Sequence, residues 1–172
     1  IERHEALRTV FPDSVDGPRQ QILRAHEASP ELTPTVIDSS ETADLLAGLA
    51  ARGFDVTCEP PLRAQLWQIA GGGDSENDDV SEYVLGMVVH HIAADGWSLG
   101  PLGRDVMVAY SARARGEELS WEPLPVQYAD YALWQREVLG EETDAASLAA
   151  TQVEFWTRTL DGAPPELPLP LD

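Results

Sequence analysis

Seven residues, Tyr83-Val84-Leu85-Gly86-Met87-Val88-Val89, follow one another without polar alternation and end on two adjacent histidines, His90 and His91. A run this short cannot span a membrane. It reads instead as a strand covered on both faces, as in a mixed α/β sheet flanked by helices. The remaining segments must supply neighbouring strands and the covering helices.

Leu7 to Phe11 reads as a short strand entered from a helix end. Asp16-Gly17-Pro18 is a turn and Gln20 to Leu23 a second strand, so the two strands and the turn resemble a hairpin. Thr35-Val36-Ile37 is a third strand. Ser39 or Ser40 then stands where it can cap a helix with Glu41 and Asp44 near its positive end, with Leu45, Leu46 and Leu49 as the buried stripe and Arg52-Gly53 as the stop. Leu62, Leu66 and Ile69 mark another strand, followed by Gly71-Gly72-Gly73 and the acids from Asp74 to Asp79. That stretch is a solvated loop, because the lysine and helix start of a phosphate cradle are missing.

Past the histidines, Ser98 stands where it can cap a helix with Pro101 in its first turn, and Leu99, Leu102, Val106 and Ala109 face the core as far as Gly116. Trp121 to Pro125 leads into a helix with Tyr128, Tyr131 and Trp134 on a core face and Asp130 and Arg136 turned elsewhere. Ala149, Val153, Trp156 and Leu160 define a last helix. From Asp161 onward, Pro164, Pro165, Pro168 and Pro170 make an extended exit, which divides the chain into residues 1–160 and 161–172.

With 172 residues, a single domain is the default. The 11 basic side chains are all arginine and stand against 30 acidic ones, a net charge of −19. No cationic face is left for nucleic acid or an anionic membrane, so neither is an expected partner. The acids at 74–82, 117–122 and 137–144 lie outside the histidine segment and read as solvated surface. The lone Cys58 can close no internal disulfide and gives too few thiols for a zinc site, which points to the cytoplasm. Ile1-Glu2-Arg3-His4 lacks the order of a secretion signal, and the absence of an initiator methionine leads us to expect that both ends continue in a longer chain.

Reactive groups concentrate in one segment, Val88-Val89-His90-His91-Ile92-Ala93-Ala94-Asp95-Gly96-Trp97-Ser98. In an extended backbone neighbouring side chains diverge, so one imidazole packs inward and the other opens to a cleft. The segment holds a base and a helix N-terminus but no nucleophile: there is no G-x-S-x-G elbow, and Cys58 has no histidine near it in sequence. An imidazole, with an ordinary pKa of about 6.5, accelerates attack by an amine or alcohol roughly 10²- to 10⁴-fold as a base. Orienting two bound substrates adds up to about 7–11 kcal/mol. Direct acyl transfer suits this equipment. A structural role for the pair is the competing reading. Zinc prefers histidines three to five residues apart on one face, so no metal is expected. His4 and His26 read as surface residues.

The segment from His90 to Ser98 resembles the HHxxxDG signature of condensation domains from nonribosomal peptide synthetases, a motif also found in wax ester synthases and related acyltransferases. Arg3-His4-Glu5-Ala6-Leu7-Arg8-Thr9-Val10-Phe11 resembles that family's RHExLRTxF block, and Tyr128-Ala129-Asp130-Tyr131-Ala132-Leu133-Trp134 its YxDYAxW block. The order and spacing agree. The resemblance implies an α/β fold (an α+β sandwich) with a chloramphenicol-acetyltransferase-like lobe, the chain being an N-terminal lobe without the family's opening motif. The active-site tunnel would form against a second lobe.

It also implies peptide-bond formation between a donor aminoacyl or peptidyl thioester and an acceptor aminoacyl thioester. Both would be carried on phosphopantetheine arms of upstream and downstream carrier proteins, beside an adenylation domain, with no cofactor bound by this domain. His91 would be the base or amine-positioning group, and Trp97 and Ser98 would line the substrate channel. His90, Asp95, Gly96, Arg3 and Arg8 would be structural, with Asp95 a buried carboxylate paired to Arg3, to Arg8 or to an arginine of the second lobe. The Gly96-Trp97-Ser98 continuation favours condensation over epimerisation, the leading histidine argues against heterocyclisation, and the 92–94 and 127–131 stretches resemble members accepting a D-configured donor. Two alternatives remain: a non-catalytic partner-recruiting domain of the same fold, whose histidine motif is usually degraded, and an ester-forming acyltransferase. The lobe by itself is expected to be inert.

Overall fold

A 3₁₀ turn, Glu5–Arg8, delivers the chain into β1 (Thr9–Val10), which pairs antiparallel with β2 (Gln21–Ile22), placing Thr9 opposite Ile22. The computed structural model describes residues 1–71 and 81–164. Its chain divides into two units, Ile1–Gln127 and Tyr128–Asp172. The expected hairpin is present but shorter than the pattern suggested, because Leu7 is buried inside the 3₁₀ turn. Gly17, at φ 97°, allows the reversal in which Ser14 and Gly17 exchange backbone hydrogen bonds at 3.1 Å. A one-turn helix, α1 (Ala25–Ala28), follows and carries His26 on the surface.

The second sheet has the order β3 (Thr35–Ile37), β4 (Leu62–Ile69), β5 (Tyr83–Val89). β3 runs parallel to β4, and β4 antiparallel to β5, so the sheet is mixed as expected. A parallel pair needs a crossover, and α2 (Thr42–Ala51) supplies it. Ile37, Trp67 and Ile69 project from one face and are buried beneath Leu45, Leu49 and Val84. The cap of this connection is Asp38 rather than Ser39 or Ser40. Residues Ser39–Glu41 coil into a 3₁₀ turn, so Asp38 is the last extended residue; its carboxylate accepts the Ser40 N–H at 2.9 Å, and the Glu41 carboxylate accepts the Asp38 N–H at 2.8 Å.

β5 departs from the reading of a strand covered on both faces. Side chains alternate along it: Gly86 is buried on the α2 face, while Tyr83, Leu85 and Met87 point the other way and are exposed. An apolar run without polar alternation hides which of its faces is covered.

α3 (Leu99–Ala114) buries Asp105 and Ala112 and half-buries Leu102, Val106 and Ala109. Leu99, expected in the core, is 58% exposed at the first turn. The helix closes at Arg115 and Gly116, the latter at φ 69°.

In the second unit, α4 (Tyr128–Leu139) and α5 (Leu148–Thr159) match the expected helices. Ser147 caps α5, its hydroxyl accepting the Ala150 N–H at 3.0 Å. Tyr128, Tyr131 and Trp134 do share one face, with successive ring centroids 5.7 Å apart, but all three are exposed rather than core. Val153, Trp156 and Leu160 are exposed too. Helical spacing alone cannot tell a stripe covered by this chain from one left open. The glycines and acids at 72–79 and the prolines at 165, 168 and 170 lie outside the described residues.

Candidate active site

The backbone of β5 continues past Val89 by one bond, the His90 N–H donating to the Pro61 carbonyl at 2.8 Å. The chain then turns. The Ala93 N–H bonds to the His90 carbonyl at 3.0 Å, and the Ile92 N–H donates to His90 Nδ1 at the same distance. The two imidazoles diverge as the period of a strand demands. His90 packs edge-on against the Phe54 ring, centroids 5.7 Å apart, and is half-buried. His91 falls on the side of Met87 and Val89 and is exposed; among the described residues its ring makes no hydrogen bond. It opens on a cavity of about 360 Å³ whose apolar wall includes Met87, Val89, Leu99 and Leu102.

Asp95 is not the buried carboxylate anticipated. It is exposed, and it pairs with neither Arg3 nor Arg8. Its Oδ1 accepts the Ser98 N–H at 2.9 Å and the Ser98 hydroxyl at 2.7 Å, and the Asp95 N–H donates back to Ser98 Oγ at 3.2 Å. The bonds from the Ser98 hydroxyl and then its N–H hold the Asp95 carboxyl below its ordinary range. A three-residue separation lets Asp95 close this turn locally, so no distant cation is needed. Ser98 sits at the helix entrance, yet its hydroxyl serves Asp95 rather than a helix amide. Trp97 is 90% exposed beside this turn. Gly96 lines the His91 cavity.

The cation predicted for Asp95 is found on Asp105. Arg3 Nε and His4 Nε2 lie 2.8 and 2.9 Å from Asp105 Oδ2, and Arg104 Nη2 lies 3.2 Å from Oδ1. His4 is therefore no bystander at the surface. Burial disfavours the ionised form of Asp105, but the hydrogen bonds from His4, Arg3 and Arg104 prevail and lower its pKa. Arg3 also donates to the Glu122 carbonyl at 2.6 Å and lies 4.7 Å over the Trp121 ring. Arg8 ties the 3₁₀ turn to the end of the hairpin through the Leu23 carbonyl and Glu5. Sequence reading missed Asp105. The signal was available, since a carboxylate stood on the apolar stripe between Leu102, Val106 and Ala109.

Chemically, the site offers one open imidazole on an apolar cavity. Among the described residues no cluster of three or more His, Cys, Asp or Glu side chains could hold a metal ion. Cys58 is exposed and lies apart from the cavity lining, and its hydrogen bond to Asp55 raises the pKa of the thiol, the reverse of an activated nucleophile.

A mixed sheet flanked by helices, whose strand end presents divergent histidines ahead of a helix, is a lobe of the chloramphenicol-acetyltransferase-like fold. The family profile described as "Condensation domain" matches residues 1–172, and the chain belongs to that family, the condensation domains of nonribosomal peptide synthetases. It is 51% identical over 170 residues to a dimodular nonribosomal peptide synthase of Bacillus subtilis, covering 99% of this chain and 7% of that protein. It is 46% identical over 176 residues to an isonitrile lipopeptide synthase of Mycobacterium tuberculosis, covering 99% of this chain and 6% of that one. Among solved structures, the X-domain in complex with OxyB from teicoplanin biosynthesis superposes with a TM-score of 0.83 at 35% identity, over 99% of this chain and 35% of that one. The chain thus spans less than a tenth of these curated relatives. No helix among the described residues is long and apolar enough to cross a membrane.

Proposed function

We propose that this lobe forms peptide bonds between thioesters carried on phosphopantetheine arms of two carrier proteins. The acceptor amine attacks the donor carbonyl carbon, a C–N bond forms, the C–S bond breaks, and the donor arm leaves as its thiol. His91 takes the amine proton or holds the amine in line, and the proton ends on the departing sulfur. The observation that carries this reading is the exposed His91 ring, facing an apolar cavity and unengaged by any described residue. A ring nitrogen with no partner in the protein is open to an incoming donor. His90, Asp95 and Gly96 shape the turn, Arg3 and Arg8 brace the 3₁₀ segment, and Trp97 offers an uncovered aromatic surface beside the channel. Ser98 contributes through Asp95 rather than to substrate directly.

Residues 1–160 would be the first lobe, with 161–172 its exit toward a second. An adenylation domain in the same polypeptide would load the acceptor carrier. Because the tunnel of such a domain is built between lobes, the isolated chain should release no dipeptide. In the parent polypeptide with both carriers loaded, His91→Ala should lower dipeptidyl product by about 10²- to 10⁴-fold while leaving carrier loading intact. Undiminished product would remove His91 from the chemistry.

A second reading has one observation in its favour. The X-domain likeness, at TM-score 0.83, is to a structure whose name records a complex with OxyB. A recruiting role for this chain would require no His91, so the same variant separates the two.

A further inference from the structure

We propose that Asp105 is a positioning residue for His91, acting through α3; this rests on the catalytic reading above. His91 sits in a turn whose internal hydrogen bonds are all local, His90 to Ile92 and Ala93, and Asp95 to Ser98. Among the described residues no hydrogen bond holds the His91 ring itself, so its placement follows from the two ends of the turn. One end is fixed by the β4–β5 ladder and by the His90 N–H on Pro61. The other end is the first turn of α3.

Among the described residues, the side-chain hydrogen bonds that tie α3 to any other element converge on a single atom. Arg3 Nε and His4 Nε2 both meet Asp105 Oδ2, at 2.8 and 2.9 Å. Arg3 extends that anchor to the Glu122 carbonyl, and the Gln127 amide clasps the same segment by accepting the Glu5 N–H at 3.2 Å and donating to the Arg3 carbonyl at 3.0 Å. Asp105 lies seven residues beyond Ser98, about 10 Å along the helix at 1.5 Å per residue. A helix of this length moves as a rod, so a shift or rotation at Asp105 reappears at Ser98, at Asp95 and then at His91. Acyl transfer between two bound arms is intolerant of such shifts: a displacement of about 1 Å costs on the order of 10²-fold.

The test is a double-mutant cycle in the parent polypeptide with both carriers loaded, read as single-turnover dipeptide formation. Asp105→Asn keeps the side-chain shape and removes the charge that gathers Arg3 and His4. Assayed well below its melting transition, it should slow product by about 10- to 100-fold in wild type, with carrier loading nearly unchanged, and should have little further effect in the His91→Ala background. Asp105→Glu should restore part of the rate. An equal loss in both backgrounds would mean that Asp105 supports the fold and does not act through His91, and would overturn the proposal. So would an unaltered rate. Should Asp105→Asn melt early, His4→Gln, which leaves Arg3 and Arg104 on the carboxylate, is carried through the same cycle and decides alone. If His91→Ala itself leaves product undiminished, the catalytic reading fails first and this proposal with it.

Discussion

The Trp67 indole lies against Gly86 so closely that a methyl group placed there would sit 2.6 Å from two of its ring carbons and 3.1 Å from a methyl of Leu46. Trp67 is 3% exposed, the central side chain of the core between the sheet and α2, and it cannot swing aside. Gly86→Ala should therefore destabilise the chain by about 1–3 kcal/mol through overpacking. Urea unfolding followed by Trp fluorescence checks it. A change within experimental error would show that the indole has room to move.

The turn that carries His91 depends on the bonds between Asp95 and Ser98. Asp95→Ala removes the acceptor for the Ser98 hydroxyl and leaves its N–H only the Asp95 carbonyl at 3.1 Å, and should raise amide exchange at Ser98 without unfolding α3. Because the Asp95 carboxyl titrates below its ordinary range, the closed turn persists above the usual carboxylate pKa and opens as pH falls through the lowered one. An NMR titration of Asp95 should show that depression in wild type and a smaller one in Ser98→Ala, which keeps the backbone N–H bond but loses the hydroxyl.

His90 and His91 should respond differently to truncation. His90→Ala deletes the acceptor for the Ile92 N–H and the edge contact with Phe54, so stability should fall by about 1–2 kcal/mol. His91→Ala removes a ring with no partner among the described residues and should leave the urea midpoint nearly unchanged. Equal losses of stability would contradict the placement of the two rings.

How far the sequence could be read depended on how local the cause was. The strand ending on His90 and His91, the hairpin turn at Gly17 and the divergence of the two rings all follow from period and turn chemistry within a few residues. Which face of β5 is covered did not, because Tyr83, Leu85 and Met87 are as apolar as Val84 and Val88. The partner of Arg3 was beyond reach for a different reason. Arg3 and Asp105 are 102 residues apart, and a search for the nearest motif carboxylate selects Asp95, which had already satisfied itself on Ser98.

That long-range pairing has a consequence in acid. Asp105 is buried, and the bonds from His4, Arg3 and Arg104 hold its folded-state pKa below the ordinary value near 3.9, against the opposing effect of burial. A depressed pKa means that the unfolded chain binds the proton more readily, so the stabilisation is fully present above about pH 5 and drains away as pH falls through about 4 and below. Asp105→Asn should accordingly be less stable than wild type at pH 7, by about 1–3 kcal/mol, and should lose less of its remaining stability between pH 5 and pH 3. Arg3→Gln should show the same flattening in smaller degree, because His4 and Arg104 still reach the carboxylate. Urea midpoints at half-unit steps over that window measure both, and parallel curves for wild type and Asp105→Asn would show that Asp105 is not ionised differently in the folded and unfolded chains.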